Sequence, residues 1–358
     1  MGSFSELWDK ITNNIINSAR EQPTAVAIPP DNVDRRAQMA QQFEEHKDYF
    51  QVRVNQLFLK HDRKWLTEID PMVFVVSEFQ YKGEPQTVPY VVGPALIQKH
   101  IQKIPKGMVF TNERVAGLHP YRGGDLKLSV VLCQVPVGKP AQAFLKVIEQ
   151  ASKTFDFATA LGTYITIGQV ILEGVDALFG LDETKPLVGH RTSFDKQAGD
   201  QFTPGYFALI NEPDVKPQEL WVRDNQLLKG DSVDKAEAYR EADFVLYSIV
   251  RAPDGKRNDI EQLPFYELWK SAVNEATSLK EGSWDNAKGN LITLINALAL
   301  SPDLTRQQAS EMINEYPALL KSMREQTEKA GKMGQGKPDE RADALDDVRK
   351  LASSILKD

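Results

Sequence analysis

The chain is poor in the residues that usually announce chemistry. It has one cysteine, Cys133, and five histidines, all of which precede residue 191. A single cysteine closes no intrachain disulfide, so an oxidising compartment gains no support and cytoplasmic residence is expected. Basic excess is also missing. Lysine and arginine number 43 against 50 aspartates and glutamates, for a net charge of −7, which argues against nucleic acid as the main partner because phosphate binding needs clustered cations. Arg35-Arg36 and the lysines between Lys99 and Lys106 stand among neutral or acidic neighbours.

Long hydrophobic runs are absent as well. The longest stretch without charge, Phe157 to Leu172, is shorter than the roughly 20 residues of a spanning helix and contains three threonines and two glycines. Residues Met1 to Arg20 carry neither a basic n-region nor an apolar h-region, so no secretory leader is expected. Glu6 stands where an N-myristoylation motif requires Ser or Thr. The sequence contains no HExxH, CxxC, EF-hand, GxSxG or phosphate-loop pattern. No cofactor is expected.

What remains is well patterned. A hydrophobic content of 41% and a charged content of 26% over 358 residues suit a globular chain of about two domains. The stretch from Gly123 to Leu181 organises it. Leu126, Leu128, Val130 and Leu132 alternate with Lys127, Ser129, Val131 and Cys133, the period of a strand buried on one face and mostly buried on the other. Two helical stripes follow, Ala141, Phe144, Leu145, Ile148, Ala151 and Phe155, then Leu161 to Phe179, forming an inserted helical pair over residues 140–181.

From the N-terminus, Ser3 with Glu6 is a capping-box signature ahead of Phe4, Leu7, Ile11 and Ile15 on one helical face. Asp31 to His46 reads as a polar helix anchored by Val33, Met39 and Phe43, a surface connector or a partner-binding helix. Residues 1–48 are thus assigned to N-terminal helices. Phe50, Val52 and Val54 alternate before Leu57 and Leu59 shift phase, which predicts a bulge or turn in an edge strand. Met72 to Tyr81 and Thr87 to Val92 predict a hairpin, Ile97, Ile101 and Ile104 a short helix, and Met108 to Thr111 a strand. Gly117 to Gly124 predicts a loop. Strands are again expected at Gly205–Ile210, Leu220–Val222, Gln226–Leu228 and Phe244–Val250, with Asp224-Asn225 turning one hairpin.

Strands without regular βαβ alternation favour an α+β chain. Its N-terminal domain over residues 49–251 is expected to be an antiparallel β-sandwich-like body. A boundary is placed in Ala252 to Asn258. An all-α helical C-terminal module is predicted over residues 259–328, with one helix on Phe265, Leu268, Trp269, Ala272 and Ala276, a second capped by Ser283, and a third opened by a Thr305/Gln308 capping box and kinked at Tyr316-Pro317. Residues 329–339 have linker composition, and residues 340–358 return to a helical stripe, Leu345, Val348, Ala352 and Ile355.

Candidate chemistry is thin. Gly230-Asp231-Ser232-Val233 resembles the nucleophile block of GDS-type hydrolases, but that block needs a histidine far downstream and none follows. Cys133 in an apolar strand reads as a core residue. Tyr121-Arg122, His190-Arg191 and Asp243 are placed at strand edges or loops where they could line a pocket. A strand from Phe50 to Lys60, then Asp62, then Asp70-Pro71 before another strand resembles the opening of a C2 sandwich, in which loop aspartates bind calcium and thereby a membrane. The resemblance covers only Phe50 to Pro71 and lacks a second aspartate pair. It implies Asp62 and Asp70 as metal ligands in a peripheral membrane or calcium- and lipid-binding protein.

The expectation for function is a non-enzymatic protein-binding, scaffolding or regulatory protein whose terminal stripe Leu345, Val348, Ala352 and Ile355 docks into another protein. The alternatives are the C2-like membrane protein and an enzyme whose site forms only in three dimensions. The N-terminal helix carries Glu6, Asp9, Lys10 and Arg20 rather than a basic face, which disfavours anionic lipid.

Overall fold

The computed structural model describes residues 4–18, 23–34, 39, 41–60, 69–81, 84–94, 96, 108–123, 126–136, 139–154, 161–181, 184–194, 202–252 and 256–333. The chain is mixed α+β with antiparallel sheets, mostly strands in the N-terminal part and helices at the C-terminus. It divides into two compact units, one of Met1–Glu45, Tyr49–Phe157 and Leu161–Ala252, the other of His46–Asp48, Ala158–Ala160 and Pro253–Asp358.

In the first unit the helices are α1 (Phe4–Ser18), α2 (Lys139–Thr154) and α3 (Leu161–Phe179). The strands are β1 (Thr24–Ala27), β2 (Tyr49–Phe58), β3 (Ile69–Tyr81), β4 (Glu84–Val92), β5 (Met108–Pro120), β6 (Leu126–Pro136), β7 (Lys185–Phe194), β8 (Gly205–Ile210), β9 (Leu220–Arg223), β10 (Gln226–Lys229), β11 (Glu237–Ala238) and β12 (Phe244–Arg251). One sheet has the order β1-β8-β12-β2-β5, a second β4-β3-β6-β7, and a small one β11-β10-β9. Each pairing between these strands is antiparallel.

Alternation along β12 divides its side chains between two cores. In β12, Phe244 and Leu246 join a cluster with Leu220, Val222 and Leu227 of the β9–β10 hairpin. Val245, Tyr247 and Ile249 face the other way and share a core with β3 and β6 of the four-stranded sheet. Along β6 nearly every residue is buried, because it lies between β3 and β7 and the same core takes in α1, α2 and α3.

Helix α1 places Phe4, Leu7, Ile11 and Ile15 in that core, the face its sequence predicts. A Cβ on Gly189 of β7 would lie 2.8 Å from Ile15 Cδ1, so the absent side chain is what lets α1 settle on the strand. Gly189→Ala is expected to cost about 1–3 kcal/mol through overpacking. Adding Ile15→Val, which removes that Cδ1 atom, should recover part of the loss. Equal costs in the two backgrounds of a thermal-unfolding cycle would refute the contact.

Several expectations need correction. Residues 41–48 form no helix; a 3₁₀ turn at Pro30–Asn32 precedes them, and Val33, Met39 and Phe43 are buried anchors rather than the sparse contacts of a surface connector. Strand β2 carries the anticipated irregularities but sits between β12 and β5, not at an edge. Residues Gly117 to Pro120 extend β5 instead of forming a loop. Strands β1, β7 and β11 have no counterpart in the expected set. The predicted helix at Ile97, Ile101 and Ile104 lies outside the described residues. Asp224 and Asn225 do turn the β9–β10 hairpin, with φ of 52° and 61°, the doubly left-handed backbone of a type I′ turn.

In the second unit, α4 (Tyr266–Ala276), α5 (Ser283–Ala299) and α6 (Arg306–Met333) enclose a core that includes Trp269, Ala287, Leu294, Leu298, Tyr316 and Leu320. Helix α6 runs unbroken through Pro317. Tyr316 on one side of the proline and Leu320 on the other are both buried, so packing holds the two halves together despite the lost backbone bond. The helix also continues through Lys329 to Met333, so the first five residues of the expected linker are helical.

The caps differ in detail from their signatures. Gly282, at φ 77°, is the N-cap of α5, and Ser283 Oγ instead donates to the Ser278 carbonyl (2.8 Å). Thr305 Oγ1 does accept the Gln308 N–H (3.2 Å). The Gln308 side chain makes a two-way pair with the Arg257 backbone (3.0 and 2.9 Å). Among the described residues no helix is long and apolar enough to cross a membrane.

Candidate functional site

The residues that looked chemical in the sequence take structural positions. Cys133 is fully buried in β6 opposite Met72, and burial pushes its thiol far above the ordinary range, which leaves no thiolate for nucleophilic attack. The His119 ring packs between Phe50 (5.5 Å) and Phe79 (4.4 Å). Tyr121 belongs to an aromatic cluster with Phe43 and Phe202. Arg191 pairs with Glu78 across from β7 to β3 and lies over the Phe4 ring at 5.5 Å, tying α1 to the sheet. Asp243 accepts the Lys60 N–H (2.7 Å) and the Asn211 amide (3.4 Å). Tyr121, Arg191 and Asp243 thus each make contacts that hold neighbouring segments together.

Gly230 to Val233 is the turn after β10: the Gly230 N–H donates to the Glu219 carbonyl (2.9 Å), and its own carbonyl accepts the Trp221 indole (2.9 Å). Asp62 and the side chain of Asp70 lie outside the described residues, and the Asp70 backbone pairs with Val135 inside β3 rather than in a loop. Among the described residues no group of three or more His, Cys, Asp or Glu could hold a metal ion.

His190 sits on β7 opposite Val130, and burial lowers its imidazole below the ordinary value of 6.5. The fold therefore favours the neutral ring. Since the unfolded chain binds the proton first, stability is expected to fall as pH drops below about 6.5 towards the depressed folded value. His190→Gln should flatten this part of a stability-versus-pH curve, and an unchanged slope would refute the assignment.

Two buried polar networks escaped sequence reasoning. At the irregularity in β2, Asn55 and Gln56 both reach the β9–β10 hairpin: Asn55 Nδ2 donates to Asn225 Oδ1 (3.4 Å), and Gln56 Oε1 accepts the Leu227 N–H (2.7 Å). Tyr206 Oη donates to the same Asn225 oxygen (2.7 Å). A bulge sends consecutive side chains to one side of the sheet, and the phase shift between Val54 and Leu57 was its only trace. In the second unit Arg257, 3% exposed, grips Asp259 through Nε (2.6 Å) and Nη2 (3.1 Å) and approaches Asp303 through Nη1 (3.7 Å). Both arrangements fix backbone segments; neither presents a base or nucleophile.

The surface feature that stands out is on α5. This helix buries Ser283, Ala287, Leu294 and Leu298. Its opposite side presents Gly289, Ile292, Thr293, Asn296 and Ala299, followed by Leu300, at the 3- and 4-residue spacings of one face. Ile292 is 62% exposed and Leu300 82% exposed. No ionisable residue occurs from Gly289 to Pro302. The exposed sides of the neighbouring helices differ: α4 carries a Glu267–Lys270 pair, and α6 carries Glu315, Lys321 and Glu325. Single exposed apolar side chains are ordinary. Here the face is free of charge from Gly289 to Leu300, with the exposed Asp285–Lys288 pair heading the same side of the helix, and that uncharged stretch suits contact with another apolar stripe. The terminal stripe Leu345, Val348, Ala352 and Ile355 lies outside the described residues.

Comparison of the chain with protein-family models, curated proteins and solved structures finds no match.

Proposed function

We propose that this chain is a non-enzymatic protein-binding, scaffolding or regulatory protein that acts through its helical C-terminal module. In this reading the two larger sheets form a β-sandwich-like body and the three C-terminal helices a bundle. The observation that carries the reading is the charge-free α5 face, with Ile292 and Leu300 exposed on a unit that has its own core. The terminal stripe Leu345, Val348, Ala352 and Ile355 supplies the segment that docks as a helix in the partner's groove. The partner is a protein rather than nucleic acid, given the net charge of −7, and the setting is cytoplasmic.

The test is capture of the tagged full chain from its native cells beside two variants, a chain ending at Met333 and the full chain with Leu345→Asp and Val348→Asp. A stoichiometric partner lost from both variants, and rebound by the purified full chain alone, is the expected result. A partner retained equally by all three, or none with the full chain, would defeat the reading.

A further inference from the structure

We infer that the α5 face is the docking site of the chain's own terminal segment, residues 340–358, which lies along α5 in the same direction as the helix. This rests on the reading of that segment as the partner-binding element and adds its regulation: docked on α5, the stripe is covered, and the partner binds only after release.

Helices α5 and α6 run antiparallel, because Leu300 to Thr305 joins the end of one to the start of the other, while further along Arg324 donates to Ser283 Oγ (3.3 Å) and lies over the Trp284 ring (5.9 Å). Near the end of α6, a Cβ on Gly331 would lie 2.7 Å from Leu279 Cδ1, just ahead of α5. The chain therefore leaves α6 beyond the N-terminal end of α5. From Arg324 to Met333 and from Ser283 to Ile292 are nine residues each, so about 27 Å along the axes separates Met333 from Ile292. The six residues 334–339 span up to about 22 Å when extended, and residues 340–344, the opening of the docked helix, add about 8 Å. They reach Ile292 with little slack, which sets the direction of the segment that follows.

Length and charge then agree. Leu345 to Ile355 covers about 15 Å as a helix, and Ile292 to Leu300 about 12 Å. Laid in the same direction, Leu345 meets Ile292 and Ile355 meets Leu300. Neither stripe contains an ionisable residue, so no charge is dehydrated in the contact. Asp346, Asp347, Arg349 and Lys350 fall between the apolar positions and remain available to water. An amphipathic segment this short is marginal as an isolated helix and gains its stability from such a surface.

The experiment uses the full chain with paired cysteines and no partner present. Buried Cys133 does not compete. Under mild oxidation Ile292→Cys with Leu345→Cys, and Leu300→Cys with Ile355→Cys, are expected to form intramolecular disulfides about ten-fold faster than the mismatched Ile292→Cys with Ile355→Cys, as a fixed register raises local concentration above that of a loose tether. Adding Val348→Asp should abolish the difference. Equal rates for matched and mismatched pairs, or disulfide-linked dimers in place of closed monomers, would overturn the inference, the second outcome assigning the face to another copy of the chain. Partner capture is read separately, so either result can fail without the other.

Discussion

Replacing Arg257 with alanine is expected to destabilise the helical unit by about 3–5 kcal/mol, the usual cost of removing one member of a buried ion pair. The guanidinium is held at both ends. Asp259 takes a bidentate grip at 2.6 and 3.1 Å, and Asp303, itself only 4% exposed, lies 3.7 Å from Nη1. Alanine removes the cation beside a carboxylate that cannot easily rehydrate. Arg257→Lys should recover only part of the loss, since an ammonium cannot make the planar two-point contact with Asp259. Arg257→Met combined with Asp303→Asn should cost less than Arg257→Ala alone, because the buried negative charge is then also gone. Urea unfolding followed by far-ultraviolet circular dichroism gives the comparison; a loss from Arg257→Ala within about 1 kcal/mol, the range of a surface pair, would show that the network is not buried in solution.

Trp269→Ala is expected to cost about 3–5 kcal/mol, the range for a large buried aromatic. Trp269 is 1% exposed and its ring lies 4.4 Å from that of Tyr316, so its removal opens a cavity beside the middle of α6. The decisive comparison is Trp269→Phe. Among the described residues the indole Nε1 has no hydrogen-bond partner, so the substitution forfeits volume but no polar interaction. It should cost about 1–3 kcal/mol, less than alanine because the cavity left is smaller. A cost for phenylalanine close to that for alanine would mean that the N–H is bonded and that the contact with Tyr316 is secondary.

These effects trace to features that were unequally legible in the sequence. The strand at Leu126 to Pro136 could be read because a residue buried on both faces must be apolar on both, and an alternating run with few charges is the result. The helices at Lys139–Thr154, Tyr266–Ala276 and Ser283–Ala299 could be read because each buries a stripe repeating every three or four residues. The Asp224-Asn225 turn was legible because few side chains tolerate left-handed backbone. The candidate site was less so. The uncharged run from Gly289 to Pro302 is visible as text, but only the fold shows that Leu294 and Leu298 are buried while Ile292 and Leu300 face water.

Local pattern therefore determined the type of the strongly periodic elements and the α+β class, since these depend on neighbours within a few residues. Tertiary structure decided which strand is central, how β7 enters the four-stranded sheet, and that Arg257 joins residues 46 and 51 positions further along. Its authority there has one physical cause. Burial and pairing are properties of contacts between distant segments, and the same Ile, Gln or Arg carries a different free energy according to what the fold places beside it.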